Sequence, residues 1–395
     1  MKLTADIIEY IHAHQEEAFQ LLLELAQIPA PSNHEEKRAE FCRSWMEKQG
    51  AEGVYVDTAL NVVYPIGCTE DNPVMVFMAH SDVVFPDTEP LPLTVEDGKI
   101  KCPGVGDDTA NVVALLMAAK YIAQQKLVPA GCVLGQDTDT VQTESGSRTC
   151  GILLVVNSGE EGLGNLKGSR KIMEDYKGRV AEFITFDGGP KHITNRAVGS
   201  KRYLIEVDTE GGHSYGSFGN RNAIAYLASL IDTLYTMKVP PKGRTTYNVG
   251  TISGGTSVNT IAQHAEMLYE FRSDERESLE IMEQHLNAAI DFYRTKGIRV
   301  TVTLKGDRPC SGEVDPAREE ALMERSAAAI KNYYGYEAAF SAGSTDCNIP
   351  LSVGVPAVCV GCVEGSGAHT REEYVEIDSL LPGIKVAFEL VLHHF

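Results

Sequence analysis

The sequence is short of tryptophan, of positive charge and of long apolar runs. It holds one Trp, and aromatic residues make up only 7%, so aliphatic side chains must build the core. Lys and Arg number 35 against 55 Asp and Glu, giving a formal charge of −20. A chain so poor in basic residues offers no cationic face for nucleic acid. The longest uninterrupted apolar run, Val112 to Ala119, falls far short of the about 20 residues that a membrane helix needs. Asp6 and Glu9 stand where a secretory signal carries its apolar core. The expectation is therefore a cytoplasmic protein with neither a membrane nor a nucleic-acid partner. The nine cysteines are scattered and odd in number, and they read as reduced thiols. Cys359 and Cys362 have CxxC spacing but no second pair nearby, and they read as small apolar residues of a buried strand.

What is present points to two domains in 395 residues. Residues 3–27 carry apolar positions at helical spacing and read as a surface helix. A strand-like stretch follows at 54–64, then strands ending near His80, Val156 and Phe186 alternate with helices at 109–125 and 169–176. Near-continuous apolar strands separated by helices predict a doubly wound, mostly parallel α/β sheet. The pattern changes near Arg196. Residues 203–304 read as β-α-β-β-α-β, the order of a ferredoxin-like α+β module. Strands and a ligand-type loop resume at 339–369. The expected division is 1–196 with 308–395 as one domain and 197–307 as an insertion. Gln136–Thr149 is almost wholly polar and reads as a surface loop. No internal repeat is present.

Four apolar runs end at metal-competent side chains. Val74–Ala79 precedes His80-Ser81-Asp82, and Ile152–Val156 precedes Glu160-Glu161. Phe183–Phe186 precedes Asp187, and Ala357–Gly361 leads to His369. In open α/β sheets, sites form where loops leave the carboxyl ends of strands. Asp107 adds an acid in a Gly-rich turn (Gly104-Val105-Gly106) that opens a helix. Two cations about 3.5–4 Å apart need two imidazoles, two terminal carboxylates and a bridging one. His80, His369, Asp187, Glu161 and Asp107 supply them. Zinc suits such N/O donors, and manganese or cobalt could replace it. Asp82, two residues after His80, points to the same side of an extended segment and can hold the ring's other nitrogen. Glu160 is left over, and a carboxylate there can serve as general base.

These motifs resemble the di-zinc exopeptidase and deacylase family of peptidase T, carboxypeptidase G, succinyl-diaminopimelate desuccinylase and aminoacylase. The resemblance covers nearly the whole chain. It implies that one zinc takes His80, Asp107 and Asp187, and that the other takes Asp107, Glu161 and His369. It makes Glu160 the base that activates a metal water, and places a supporting acid at Glu373. The inserted module is similar to the family's dimerisation or lid domain, which implies a homodimer. Gly211-Gly212-His213-Ser214 resembles the segment whose histidine crosses from a partner subunit to polarise the scissile carbonyl. Residues 254–259, ending at Asn259, and Glu270-Phe271-Arg272 resemble the grip on a substrate carboxylate. Ser344-Thr345-Asp346 lies in a turn that relatives place near substrate. Thr109-Ala110 departs from the Lys-Gly usual after the bridging aspartate. Asp187 in place of Glu leans towards peptidase T. The implied activity is a tripeptide- or dipeptide-type aminopeptidase. An N-acyl amino acid deacylase or carboxypeptidase on the same scaffold is the alternative, and a silent peptide-binding protein is the remote one.

Overall fold

A computed structural model describes residues 2–132 and 148–395. Residues 136–147 of the polar insertion lie outside the described residues. The chain forms two compact units, Met1–Arg196 with Gly312–Phe395, and Ala197–Ser311.

Among the described residues, the first unit is built on an eight-stranded sheet. Its spatial order is Tyr55–Val56, Val62–Ile66, Gly151–Asn157, Val74–His80, Val180–Thr185, Ala357–Val360, His192–Ala197 and Ala339–Gly343. The four strands at 151–157, 74–80, 180–185 and 357–360 pair parallel. The pairings flanking them, of Val62–Ile66 and of His192–Ala197, are antiparallel. Met75, Phe77, Ile152 and Leu154 join the larger core cluster. Their alternates Val76, Met78, Leu153 and Val155 are equally buried. Both faces are therefore covered, which is why these strands read as unbroken apolar runs rather than alternating ones. The helix Ala110–Gln125 is apolar almost all round and buries Leu115, Leu116 and Ile122.

Three local expectations are corrected. The surface helix expected over 3–27 is two helices, Ala5–Ala13 and Gln15–Ala26, parted at His14. The His14 ring bonds through Nδ1 to the carbonyl of Tyr10, 2.8 Å away, and so competes for a helical acceptor. The stretch 54–64 is two short strands around a turn, because Asp57 accepts the amides of Ala59 and Asn61. Nor are all cysteines reduced thiols, because Cys150 is disulfide-bonded. It follows the antiparallel pairing of Gly131–Cys132 with Arg148–Thr149, a proximity that sequence spacing does not show.

The second unit has a four-stranded antiparallel sheet in the order Thr245–Gly254, His264–Ser273, Gly199–Asp208, Arg299–Arg308. In chain order this is 2-3-1-4, the ferredoxin-like arrangement. The helices Ala223–Tyr235 and Arg276–Thr295 bury Leu227, Leu230, Leu234, Met282 and Leu286 against it. No helix among the described residues is long and apolar enough to cross a membrane.

Candidate metal centre

Parallel register aligns the ends of the central strands. His80 closes its strand opposite Asn157, the last residue of Gly151–Asn157. Met78 faces Thr185, so Asp187 emerges just past the same edge. The amide of Asp187 bonds back to the carbonyl of Val360, 3.3 Å away. Side chains from separate strands thus converge at one sheet edge.

Asp107 sits in the turn Val105–Thr109, ahead of the helix Ala110–Gln125, and a cis peptide joins it to Asp108. Gly104 enters that turn at φ 75°, and a Cβ there would lie 2.3 Å from Val83 Cγ1, so only glycine fits. Glu373 clamps the turn by accepting the amides of Gly104, Gly106 and Asp107, each at 2.8 Å. Asp108 is fully buried and accepts the amide of His80 at 3.0 Å.

Two donor sets result, His80–Asp107–Asp187 and Asp107–Glu161–His369, each with its ligand atoms within 4.8 Å of one another. Asp107 belongs to both. Its Oδ1 lies 3.0 Å from His80 Nε2 and its Oδ2 lies 3.2 Å from His369 Nε2, so each oxygen serves one set. His369 Nε2 is also 2.8 Å from Glu161 Oε1. The Asp82 carboxylate lies 3.4 Å from His80 Nδ1, on the far side of the ring. It also accepts the amides of Glu160 and Glu161 and the hydroxyl of Ser32. Glu160 is buried and forms a further donor set with His80 and Glu161.

The electrostatics favour cations. Burial and the charge of Asp107 push Asp187 up to about 7. Burial likewise lifts Asp108 well above the carboxylate range. Hydrogen bonds that His369 donates to Asp107 and Glu161 raise it to about 10. Burial opposes charge on His80, yet Asp108 and Asp107 raise it nonetheless. Burial also works against the Asp107 charge, but His369 and His80 outweigh it and hold that carboxylate below its usual range. A pocket of acids relieved only by two imidazoles and retained protons fits two divalent ions with N/O ligands.

Sequence reasoning passed over Ser32, Asn111 and Asn157. Asn111 links Asp108 to the amide of Cys362. Asn157 donates to the buried Asp346 at 2.6 Å. Ser344 stands in the turn after Ala339–Gly343. Its neighbour Thr345 lines a cavity of about 320 Å³ together with Asp187, Gly189, Thr194 and Glu364.

In the second unit His213 is exposed and uses Nδ1 to accept the amides of Tyr215 and Gly216, both at 3.2 Å. Asn259 lies with it, because Ser214 N–H bonds to the Asn259 carbonyl at 2.9 Å. Arg272 does not. It stands near the other end of the strand His264–Ser273, roughly 26 Å from His264 at the usual rise per residue. Its Nε and Nη2 already bind Glu270 at 3.1 Å.

Comparison with known proteins agrees with this architecture. Residues 195–294 match the model of a peptidase dimerisation domain, and residues 61–202 match that of peptidase family M28. The uncharacterised protein YqjE of Bacillus subtilis is 26% identical over 93% of this chain and 96% of its own length. An acetylornithine deacetylase of Myxococcus xanthus is 26% identical over 81% of this chain and 80% of its own. The structure of a tripeptidase from Staphylococcus aureus superposes with a TM-score of 0.72 at 21% identity, covering 96% of this chain and 99% of that one. The chain thus has the fold of M20-family peptidases of solved structure, and its inserted unit matches a peptidase dimerisation domain.

Proposed function

We propose that the protein is a two-zinc aminopeptidase of short peptides, most closely of tripeptides. The observation that carries this is Asp107, which turns one carboxylate oxygen to each histidine and so joins two complete donor sets. His80, Asp107 and Asp187 would hold one ion, and Asp107, Glu161 and His369 the other. Bound there, the ions would supply Lewis acidity to the scissile carbonyl and acidify a water.

The remaining roles belong to the chain. Glu160 takes the proton of the attacking water and returns it to the leaving amine. Asp82 holds Glu160 by its amide, so that the base is aimed by the same carboxylate that orients His80. The cavity beside Asp187 receives the first side chain of the substrate. Arg272 offers a guanidinium to the substrate carboxylate, exchanging Glu270 for it. His213 and Asn259 act together from a partner subunit, His213 polarising the carbonyl through Nε2, since Nδ1 is occupied. The surface around them supports this reading. Tyr215 and Phe218 are 90% and 91% exposed, an apolar area that an isolated protomer leaves in water.

The deacetylase among its relatives favours a second reading, removal of an N-acyl group on the same scaffold. One zinc-loaded assay separates them. A tripeptide is offered with a free and with an acetylated N-terminus, and the fragments are weighed. Release of the first residue from the free form alone is expected. Release of acetate, or of the C-terminal residue from the blocked form, overturns the aminopeptidase assignment.

A further inference from the structure

The most unusual charge in the first unit is Arg38, whose side chain is fully buried in the first turn of the helix Glu36–Lys48. Its guanidinium reaches four acceptors from three segments. Nε donates to the Ile28 carbonyl at 2.7 Å and Nη2 to that of Ala26 at 3.4 Å. Nη1 donates to the Ser81 carbonyl at 2.9 Å and to Thr109 Oγ1 at 3.0 Å. Ser81 lies between His80 and Asp82, and Thr109 lies two residues after Asp107. Thr109 passes the link on by donating its hydroxyl to the Gly104 carbonyl at 2.6 Å. One side chain therefore ties together the two segments that bring His80 and Asp107 to the centre.

Every acceptor is a neutral oxygen, so the positive charge is not spent in a direct ion pair. Burial lowers the guanidinium to about 10, and Asp82 and Glu373 are the carboxylates whose charge supports it there. These are the two that orient His80, the Glu160-Glu161 amides and the Asp107 turn. Only a planar guanidinium has enough donors, in fixed directions, to reach all four oxygens at once. Thr109 is where this cation meets the turn.

We propose that Arg38 is a positioning residue of the metal centre, a buried cationic strut that fixes the His80 segment against the Asp107 turn. The inference rests on the proposed two-metal reading and concerns the His80–Asp107–Asp187 set.

Zinc titration against a chromophoric chelator tests it, alongside steady-state kinetics. The variants are Arg38→Met and Thr109→Val. The parent is expected to bind two zinc equivalents. Arg38→Met should weaken one of them by about tenfold or more, lowering kcat with little change in KM. Thr109→Val keeps the buried charge and serves if Arg38→Met does not fold. It should weaken the same equivalent by about threefold or more. Parental affinity for both equivalents in Thr109→Val, or in a folded Arg38→Met, overturns the inference. A parent that binds no zinc overturns the two-metal reading instead.

Discussion

The Asp82 carboxylate accepts the amide of Glu160 on one oxygen and that of Glu161 on the other, each at 3.0 Å. The proposed base and a proposed ligand are thus hung from a single side chain, which also lies against the His80 ring. Asp82→Asn replaces one acceptor oxygen with a donor that must face an amide N–H. We expect kcat to fall about 10- to 100-fold with zinc content retained. Parental kcat at full zinc content would show that the double amide contact does not aim Glu160.

Glu160 stands 5% exposed beside Glu161, shielded from bulk solvent. Glu160→Gln preserves shape and removes the basic oxygen. Both metals should remain, and turnover should fall by about 10²-fold or more. Retained turnover would assign the proton transfer to another group.

Zinc uptake should expel protons. Ligating imidazoles must be neutral, yet in the metal-free protein Asp107 and Glu161 hold His369 at about 10. His80 is likewise raised, and burial keeps Asp187 at about 7. These raised groups keep their protons on the acid side and lose them as pH rises, so protons compete with zinc most strongly at low pH. Apparent affinity should climb between about pH 6 and pH 10, by up to about tenfold per unit for each proton released. Calorimetry in buffers of different ionisation heat counts those protons, and a count of zero contradicts the linkage.

The metal centre was legible because its ligands stop apolar runs, an interruption visible without coordinates. His80 and Asp187 stand out for that reason, and Asp107 for its Gly-rich turn. Arg38 and Glu35 were invisible, because Glu35-Glu36-Lys37-Arg38 reads as the solvated start of a helix and only tertiary packing buries two of the four. The Glu270–Arg272 pair was within reach of sequence reasoning, since residues two apart on a strand share a face.

Glu35 supplies a stability test. It is fully buried and accepts the amides of Asn33 and Gly159 and the ammonium of Lys167, at 2.7, 3.0 and 2.9 Å. Glu35→Ala strands these donors beside the Glu160 loop. Urea denaturation of the metal-free protein should show a loss of about 3 kcal/mol. A loss below about 1 kcal/mol would mean that water replaces the carboxylate without penalty.

The assignment of His213 to a partner subunit makes a prediction that no single-chain mechanism shares. His213→Ala should keep both metals and lose turnover by about 10²-fold or more, as removal of an oxyanion donor does. Glu160→Gln homodimers should be equally inactive. Mixed and allowed to exchange subunits, the two variants form dimers in which the His213→Ala protomer keeps its Glu160 and receives His213 from the other. One site per mixed dimer is then intact. With random exchange about half the dimers are mixed, so activity should return to roughly a quarter of the parental rate. If His213 served its own protomer, each site of a mixed dimer would still lack one group, and mixing would restore nothing. Recovery therefore places the histidine in trans, and its absence after demonstrated exchange places it in cis.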